Sequence, residues 1–380
     1  MTALLQPGTV DTATAQSHEI TTPVPKRMRV RPSAPGRRRP RVSVVIPCYN
    51  YARYLTAAVE SALSQAGVDI DVIVVDDASN DESLNVAEQL AAKDSRVKVI
   101  AHKENIGPVA TFNDGLTCAK GEFLVRLDAD DLLTPGSLQR ATDVMLAFPS
   151  VGLVYGHPLH FSGDHLPHPR DNATYWTIWP GLEWLSERCE SGYNVITSPE
   201  VVMRRSLVAR IGGQRDLAHS HDMEMWLRLS AYSDVAYIHG ADQAWHREHP
   251  RSLSSRVDSL KDFHERRAAF DVLFASVEKD LPAARDLRAD ASLALARYCI
   301  EAACRLYDHR QVDMTRVNLL SDLAEELVPN LETVPGWTGL KWRKSIGPGW
   351  AAYHPMFLTH RLIRGLIARW KKMRWHRSGR

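Results

Sequence analysis

From Val42 onward the chain alternates short β-branched runs with longer segments in which apolar residues return every three or four positions. Val42-Ser43-Val44-Val45-Ile46 has the near-continuous apolar character of a strand covered on both faces. It closes at Pro47, with Asn50 at the expected cap of the helix that follows. From about Leu55 to Ala66, residues Leu55, Val59, Ala62 and Leu63 share one helical face, and Gly67 ends the helix before Val72-Ile73-Val74-Val75. Helix, strand, helix and strand are then expected over Glu82–Ala92, Val97–Ile100, Val109–Ala119 and Phe123–Leu127. Strands alternating with helices of this length predict an α/β domain around a mainly parallel, doubly covered sheet.

The regularity weakens beyond Asp131. A helix is expected over Gly136–Ala147, a strand over Val151–Tyr155, and a Pro- and His-rich loop over His157–Pro169. Residues 181–193 and 220–232 pattern as helices and Val195–Met203 as extended chain, and from about Leu260 the pattern is helical, most strongly over Ala284–Tyr307. The last segment, Pro355–Arg377, places Leu358, Leu362, Leu366, Trp370 and Met373 on one helical face, with Arg361, Arg364, Arg369, Lys371, Lys372, Arg374 and Arg377 around it. It reads as an interfacial anchor or as a core-packing terminal helix with a solvated basic face. Residues 1–40 are rich in Thr, Ala, Pro and Arg without apolar periodicity, and predict a disordered basic tail. The expected organisation is this tail, a catalytic-type domain over 41–258, a helical C-terminal extension over 259–354 and a basic amphipathic helix over 355–380.

Length and charge narrow the class. A chain of 380 residues buries a sizeable core. Its formal charge of +2 is small, but the ends are basic and the acids lie inside. No run of about 18 uncharged apolar residues and no secretory leader are visible, so a cytoplasmic chain is expected, at the inner face of the plasma membrane if the last helix touches lipid. The five cysteines (Cys48, Cys118, Cys189, Cys299, Cys304) are widely spaced without a C-x-x-C pair, which predicts reduced structural thiols.

The chemistry-bearing residues gather where strands are expected to end. Asp128-Ala129-Asp130-Asp131 follows an apolar strand directly, at the place where open α/β sheets bind ligands. Three crowded carboxylates repel one another unless a cation neutralises them, and oxygen ligands suit Mg²⁺ or Mn²⁺ with diphosphate oxygens completing the shell. The competing reading is a solvated turn with Asp131 capping the next helix. Asp76-Asp77 follows another strand at the same edge, where a carboxylate can accept from a nucleobase imide or a ribose hydroxyl, or where Ser79 or Asp81 can cap a helix. Pro47-Cys48-Tyr49-Asn50-Tyr51 offers an aromatic for a base to stack on. No G-x-G-x-x-G or G-x-x-x-x-G-K-[ST] follows the first strand, which argues against dinucleotide cofactors and P-loop chemistry.

Val44-Val45-Ile46-Pro47-Cys48-Tyr49-Asn50, Val74-Val75-Asp76-Asp77-Ala78-Ser79, Asn105-Ile106-Gly107 with Asn113, and Asp128-Ala129-Asp130-Asp131 together resemble the family 2 glycosyltransferases of the GT-A fold, over roughly Arg41–Ser255. The resemblance implies a Rossmann-like nucleotide-diphospho-sugar transferase fold and an inverting, metal-dependent transfer from a nucleotide-sugar, UDP-sugar being favoured. It implies that Asp76 and Asp77, with Pro47, Tyr49 and Asn105 around them, bind base and ribose, and that Asp128 and Asp130 hold the sugar-nucleotide and its Mn²⁺ or Mg²⁺. It implies a general base in His221-Asp222-Met223-Glu224, assigned to Asp222 with Glu224 in support. Trp245-His246-Arg247-Glu248-His249, with Ser252 and Ser254, resembles the family's late basic motif, in which Arg247 reaches the diphosphate and His249 the metal or leaving group from a mobile loop. Ala78 stands where many relatives have Gly, so the turn must avoid a positive φ or tolerate strain.

A saccharide or lipid-linked acceptor in polysaccharide or glycolipid assembly is the expected partner, and no nucleic acid. Two alternatives belong to other classes. A binding-only domain or scaffold has no need of a base such as Asp222, and a nucleotidyltransferase is expected to carry a Gly- and Lys/Arg-rich loop after the first strand, where Pro47–Tyr54 holds only Arg53 and no glycine.

Overall fold

Ten strands share one sheet in the computed structural model, which describes residues 22–33, 38–249, 258–309 and 311–378. The first half follows the expected alternation: β1 (Met28–Val30), β2 (Arg41–Cys48), α1 (Ala52–Leu63), β3 (Asp69–Asp76), α2 (Ser83–Lys93), β4 (Val97–Ala101), α3 (Pro108–Cys118) and β5 (Phe123–Arg126). Strands β5, β2, β3 and β4 lie side by side and parallel, with Val42–Cys48 matched residue for residue against Ile70–Asp76. Their apolar runs are fully buried because helices cover both faces.

The second half comprises β6 (Leu132–Leu133), α4 (Ser137–Ala147), β7 (Val151–Phe161), β8 (Tyr175–Trp179), α5 (Gly181–Ser191), β9 (Val202–Arg204), α6 (Arg205–Ile211), α7 (His221–Tyr232) and β10 (Asp234–Arg247). Short β9 runs antiparallel to both β5 and β7 and so joins the parallel half to the parallel pair β7–β10. The sheet is therefore mixed but mainly parallel, in line with the expected α/β class.

Three expectations need correction here. The loop expected from His157 is the continuation of β7 to Phe161, and β10 was not legible as a strand at all. Both strands carry polar residues that pair with one another inside the protein. Asp242 is 1% exposed and accepts from His157 Nδ1 at 2.9 Å and from the Arg170 backbone N–H at 2.7 Å. The tail expected to be disordered contributes β1, which pairs with β8. Val24 N–H donates to Asp234 at 2.7 Å, Arg27 pairs with Glu187, and the Arg29 guanidinium stacks 3.1 Å from the Tyr175 ring centroid. Val24, Met28 and Val30 supply the apolar positions that the Arg-rich composition masked. Residues 1–21, and Arg37 with its neighbours, lie outside the described residues.

The C-terminal region is helical: α8 (Ser259–Val277), α9 (Ala284–Leu306), α10 (Met314–Leu327), a 3₁₀ turn at Leu331–Thr333, α11 (Trp337–Ile346), α12 (Pro348–Ala351) and α13 (Pro355–Ser378). Phe263, Phe270, Leu273 and Phe274 of α8 and Leu295, Cys299 and Ile300 of α9 share one apolar core with Trp184 of α5 and Trp226 of α7. The extension is thus built onto the face of the sheet that carries α3, α5 and α7, and α1, α2 and α4 form the other layer. All five cysteines are unpaired, and burial pushes the Cys48, Cys189 and Cys299 thiols up to about 12.

Candidate active site

Because β2, β3 and β5 are parallel neighbours, their C-terminal ends finish at one edge. That edge gathers Pro47–Tyr51, Asp76–Asp77 and Asp128–Asp131. A cavity of about 730 Å³ opens there, lined on this side by Pro47, Tyr49, Asp77, Asn105, Asp128 and Asp130 and opposite by Tyr193, His221 and Asp222. Seven of the ten expected site residues therefore share its wall; Asp76, Arg247 and His249 lie outside the lining.

On the side of β3 the carboxylates are held by nearby backbone. Asp77 accepts from the Ile106 and Gly107 N–H groups and His102 Nδ1, all at 2.9 Å. Burial would raise its carboxyl, but these hydrogen bonds hold it below the ordinary range. Asn105 is drawn in by its own bond to the Asp77 carbonyl at 3.2 Å. Asp76 accepts from Ser79 N–H at 3.0 Å through one oxygen, while its buried Oδ1 has no partner among the described residues. An orphaned acceptor at this edge suits a donor from a bound molecule. The turn is strained at Ala78, whose φ of 57° is left-handed, so the strain is tolerated rather than avoided. Asp81 accepts from Ala52 N–H at the start of α1 and Ser83 N–H at the start of α2. Asn50, expected as a cap, instead bonds Asn80 N–H at 2.7 Å and ties the two loops together.

At the end of β5 the acids take three different partners. Asp128 pairs with Arg126 at 3.0 Å, Asp130 with His249 Nε2 at 2.8 Å, and Asp131 with Arg247 N–H at 2.8 Å and His246 Nδ1 at 3.0 Å. Asp131 therefore fixes the end of β10 and does not cap α4. Its hydrogen bond and charge overcome burial and raise His246 to about 9, so this histidine is cationic. Asp130 is raised to about 6, first by burial and then by the charges of Asp131 and Asp128.

Arg247 sits on the end of β10, not on a loop, between the Tyr54 and Phe161 rings at 4.5 and 4.4 Å. Its guanidinium donates to the Asp130 and Gly163 carbonyls at 3.1 and 2.6 Å, so it braces the acidic turn from the end of the strand. Ser252 and Ser254 lie outside the described residues. No group of three or more His, Cys, Asp or Glu side chains is arranged to hold a metal among the described residues. Asp130 and His249 could supply two ligands, and a divalent cation would relieve the burial and repulsion that raise Asp130, so the residues fit such an ion if the rest of its shell comes from phosphate or water.

The opposite wall is built from distant residues. Asp222, in the first turn of α7, accepts from Arg126, Ser198 Oγ and Gln214 Nε2. Burial would raise its carboxyl, but the Arg126 guanidinium and the Ser198 hydrogen bond hold it low. Arg126 is the residue that sequence reasoning missed. It is 5% exposed, bridges Asp128 to Asp222, and also meets His221 Nε2 at 3.0 Å. Since His221 Nδ1 lies 3.3 Å from the Leu217 carbonyl, the ring donates there and accepts from Arg126, and burial keeps it neutral. An arginine inside the apolar run Phe123–Leu127 was the available signal, because a buried cation must find acids.

Ser198 and Gln214 gave no such signal. Ser198 is buried with φ 136°, a backbone strain that aims its hydroxyl at Asp222. Gln214 is held by paired bonds to Asn113, at 2.9 Å each. Glu224 supports the same loop: it pairs with Arg228 at 2.7 Å, and Arg228 donates to the Ile211, Gly212 and Gly213 carbonyls.

Residues 43–212 match Glycosyl transferase family 2. The chain is 40% identical over 116 residues to an uncharacterized glycosyltransferase of Nostoc, which is 30% of this chain and 36% of that protein. It is 28% identical over 206 residues to chondroitin synthase of Escherichia coli, 54% of this chain and 29% of the relative. It thus spans well under half the length of these curated relatives. Among solved structures, S. aureus TarS 1–349 in complex with UDP-GlcNAc superposes with a TM-score of 0.55 at 17% identity, over 80% of this chain and 92% of that one.

Proposed function

We propose, from the match of residues 43–212 to Glycosyl transferase family 2, that the chain transfers a sugar from a UDP-sugar to an acceptor hydroxyl in a single inverting displacement. The observation that carries this reading is the Arg126 bridge, which sets the acidic turn at Asp128 and the Asp222 carboxylate on facing walls of one cavity. The UDP assignment draws on the motif resemblance and on the UDP-GlcNAc bound by structurally similar TarS. In this reading residues 41–258 are the transferase domain, residues 259–354 buttress the acceptor wall, and 355–380 face a membrane, where a lipid-linked saccharide in polysaccharide or glycolipid assembly is the acceptor.

Tyr49 supplies a ring for the base, Asp76 and Asp77 serve base and ribose as the motif resemblance implies, and Asp77 also holds Asn105 and Gly107 in place around them. Asp130 and His249 would hold Mn²⁺ or Mg²⁺, which as a Lewis acid offsets the charge growing on the departing diphosphate. Asp222 accepts the acceptor hydroxyl proton. Held at low pKa by Arg126, it is a weak base, so the proton moves late, when the oxygen already bonds the anomeric carbon. Transfer of that proton leaves Arg126 facing a neutral acid at Asp222 and free to favour Asp128.

Titrating UDP into the protein with Mn²⁺, against the Asp130→Ala variant, tests the donor site. Binding that needs Mn²⁺ and weakens by about tenfold or more in the variant is expected. Failure to bind UDP, GDP and dTDP alike would sink the reading and leave a scaffold.

A further inference from the structure

The last helix is attached to the body along one side only. Phe357 is buried with its ring 5.0 Å from Trp342, Arg361 donates to the Asp308 carbonyl at 3.3 Å, Arg364 pairs with the Asp308 carboxylate, and Trp375 donates to the Val195 carbonyl at 2.8 Å. Positions 357, 361, 364 and 375 fall on one stripe of a helix with 3.6 residues per turn. The opposite arc carries Leu362, Ile363, Leu366, Ile367, Trp370 and Met373, each between 47 and 69% exposed. Single exposed apolar residues are ordinary, but six large ones on a continuous arc form a contact surface.

Charge says what the surface meets. Residues 355–378 contain seven Arg and Lys and no Asp or Glu. Two copies of this chain facing each other through α13 would set those cations against one another, whereas an anionic surface neutralises them. The helix is also not apolar enough to cross a membrane, as is true of every helix among the described residues. A helix of 24 residues, about 36 Å long, that pairs an apolar arc with flanking cations lies in the plane of a bilayer surface.

We propose that α13 is a docking surface for an anionic lipid bilayer, with Leu362, Leu366 and Trp370 entering the acyl boundary and Arg369, Lys371 and Lys372 meeting the headgroups. The helix is not a tether of arbitrary direction. The Trp375 ring packs on His157 and His160 at 5.5 and 6.1 Å, and His160 lies 5.2 Å from His246, the partner of Asp131. Docking therefore sets the catalytic cavity at a fixed height and tilt above the lipid. This deepens the proposed function by naming the surface at which a lipid-linked acceptor is met; it rests on that reading for the acceptor but not for the lipid contact.

The test is co-sedimentation of the full chain with phosphatidylcholine vesicles with and without phosphatidylglycerol, at about 0.1 M salt. The wild type is expected to pellet with the anionic vesicles and stay in solution with the neutral ones. A Leu362→Glu, Leu366→Glu, Trp370→Glu variant should lose at least about tenfold in partitioning. Because one basic residue near such a surface is worth about fivefold, an Arg369→Glu, Lys371→Glu, Lys372→Glu variant should lose about a hundredfold. Both variants should keep the wild-type melting temperature and UDP titration. Wild-type binding that is absent, or equal on both vesicles, overturns the proposal, as does binding unchanged in both variants. A dimer in sedimentation velocity that the apolar variant dissolves would assign the arc to a second copy instead. Failure of the transferase reading would appear in the UDP titration and leave the vesicle result standing.

Discussion

The two walls of the cavity hold their carboxylates in different ways. On the wall at the end of β3, Asp77 and its neighbour Asp76 are fixed by backbone N–H groups of Ser79, Ile106 and Gly107, supplied by the loops directly after β3 and β4. On the facing wall Asp222 is fixed by side chains 96, 24 and 8 residues away: Arg126, Ser198 and Gln214. The first arrangement forms whenever the local turn forms. The second exists only after the whole domain has closed, and it sets the basicity of Asp222 as well as its position. In the proposed function the first wall serves binding and the second turnover, and substitutions should separate the two.

Asp222→Asn makes the sharpest separation. It should lower kcat by about 10²–10⁴ while UDP affinity stays within about twofold, read by steady-state turnover beside calorimetry. Comparable losses in binding and turnover would mean that the walls do not divide the work. Arg126→Met comes next, because it leaves the half-buried Asp128 and Asp222 facing one another without their buried cation. A stability loss of about 3–5 kcal/mol in urea unfolding is expected, with acidic conditions softening it as Asp128 and Asp222 protonate.

The pH dependence of Mn²⁺ binding is a smaller effect. With Asp130 at about 6, a proton competes with the cation below that pH, so affinity should fall by up to about tenfold per unit from pH 6 to 5 and be nearly flat above 7. A flat profile across this window would remove Asp130 from the metal site. The smallest effect belongs to the wall at the end of β3. Ala78→Gly relieves the left-handed strain and should raise unfolding free energy by about 0.5–1 kcal/mol without changing turnover.

The same contrast explains which parts of the molecule could be read in advance. The strands from Val42 to Leu127 were legible because parallel strands buried on both faces must be apolar, and their helices carry one apolar stripe. Acids placed directly after such strands then had to meet at one edge. In β7 and β10, buried Asp242 with His157 and Arg170 satisfies its charge inside the fold, so a run such as Gly240-Ala241-Asp242-Gln243 gives no periodic signal. Residues 22–33 misled in the opposite direction, since basic composition hid the three apolar side chains that seat β1. The surroundings of Arg247 were equally illegible: its place between the rings of Tyr54 and Phe161 and its bonds to two distant carbonyls follow from the packing of β10 and not from the basic motif.

By itself, then, the sequence determined the α/β alternation, the positions of the strand ends, the acids at those ends and the basic apolar terminal helix, because each follows from local periodicity and the spacing of a few residues. Tertiary structure alone decided that Arg126 would bridge Asp128 to Asp222, that strained Ser198 and Asn113-held Gln214 would complete the carboxylate's shell, and that α13 would anchor on Trp375 and turn its apolar arc outward. These are contacts between residues up to 180 positions apart. Nothing in the local chain selects such partners; they are chosen by which buried charges and donors the closed fold leaves facing one another.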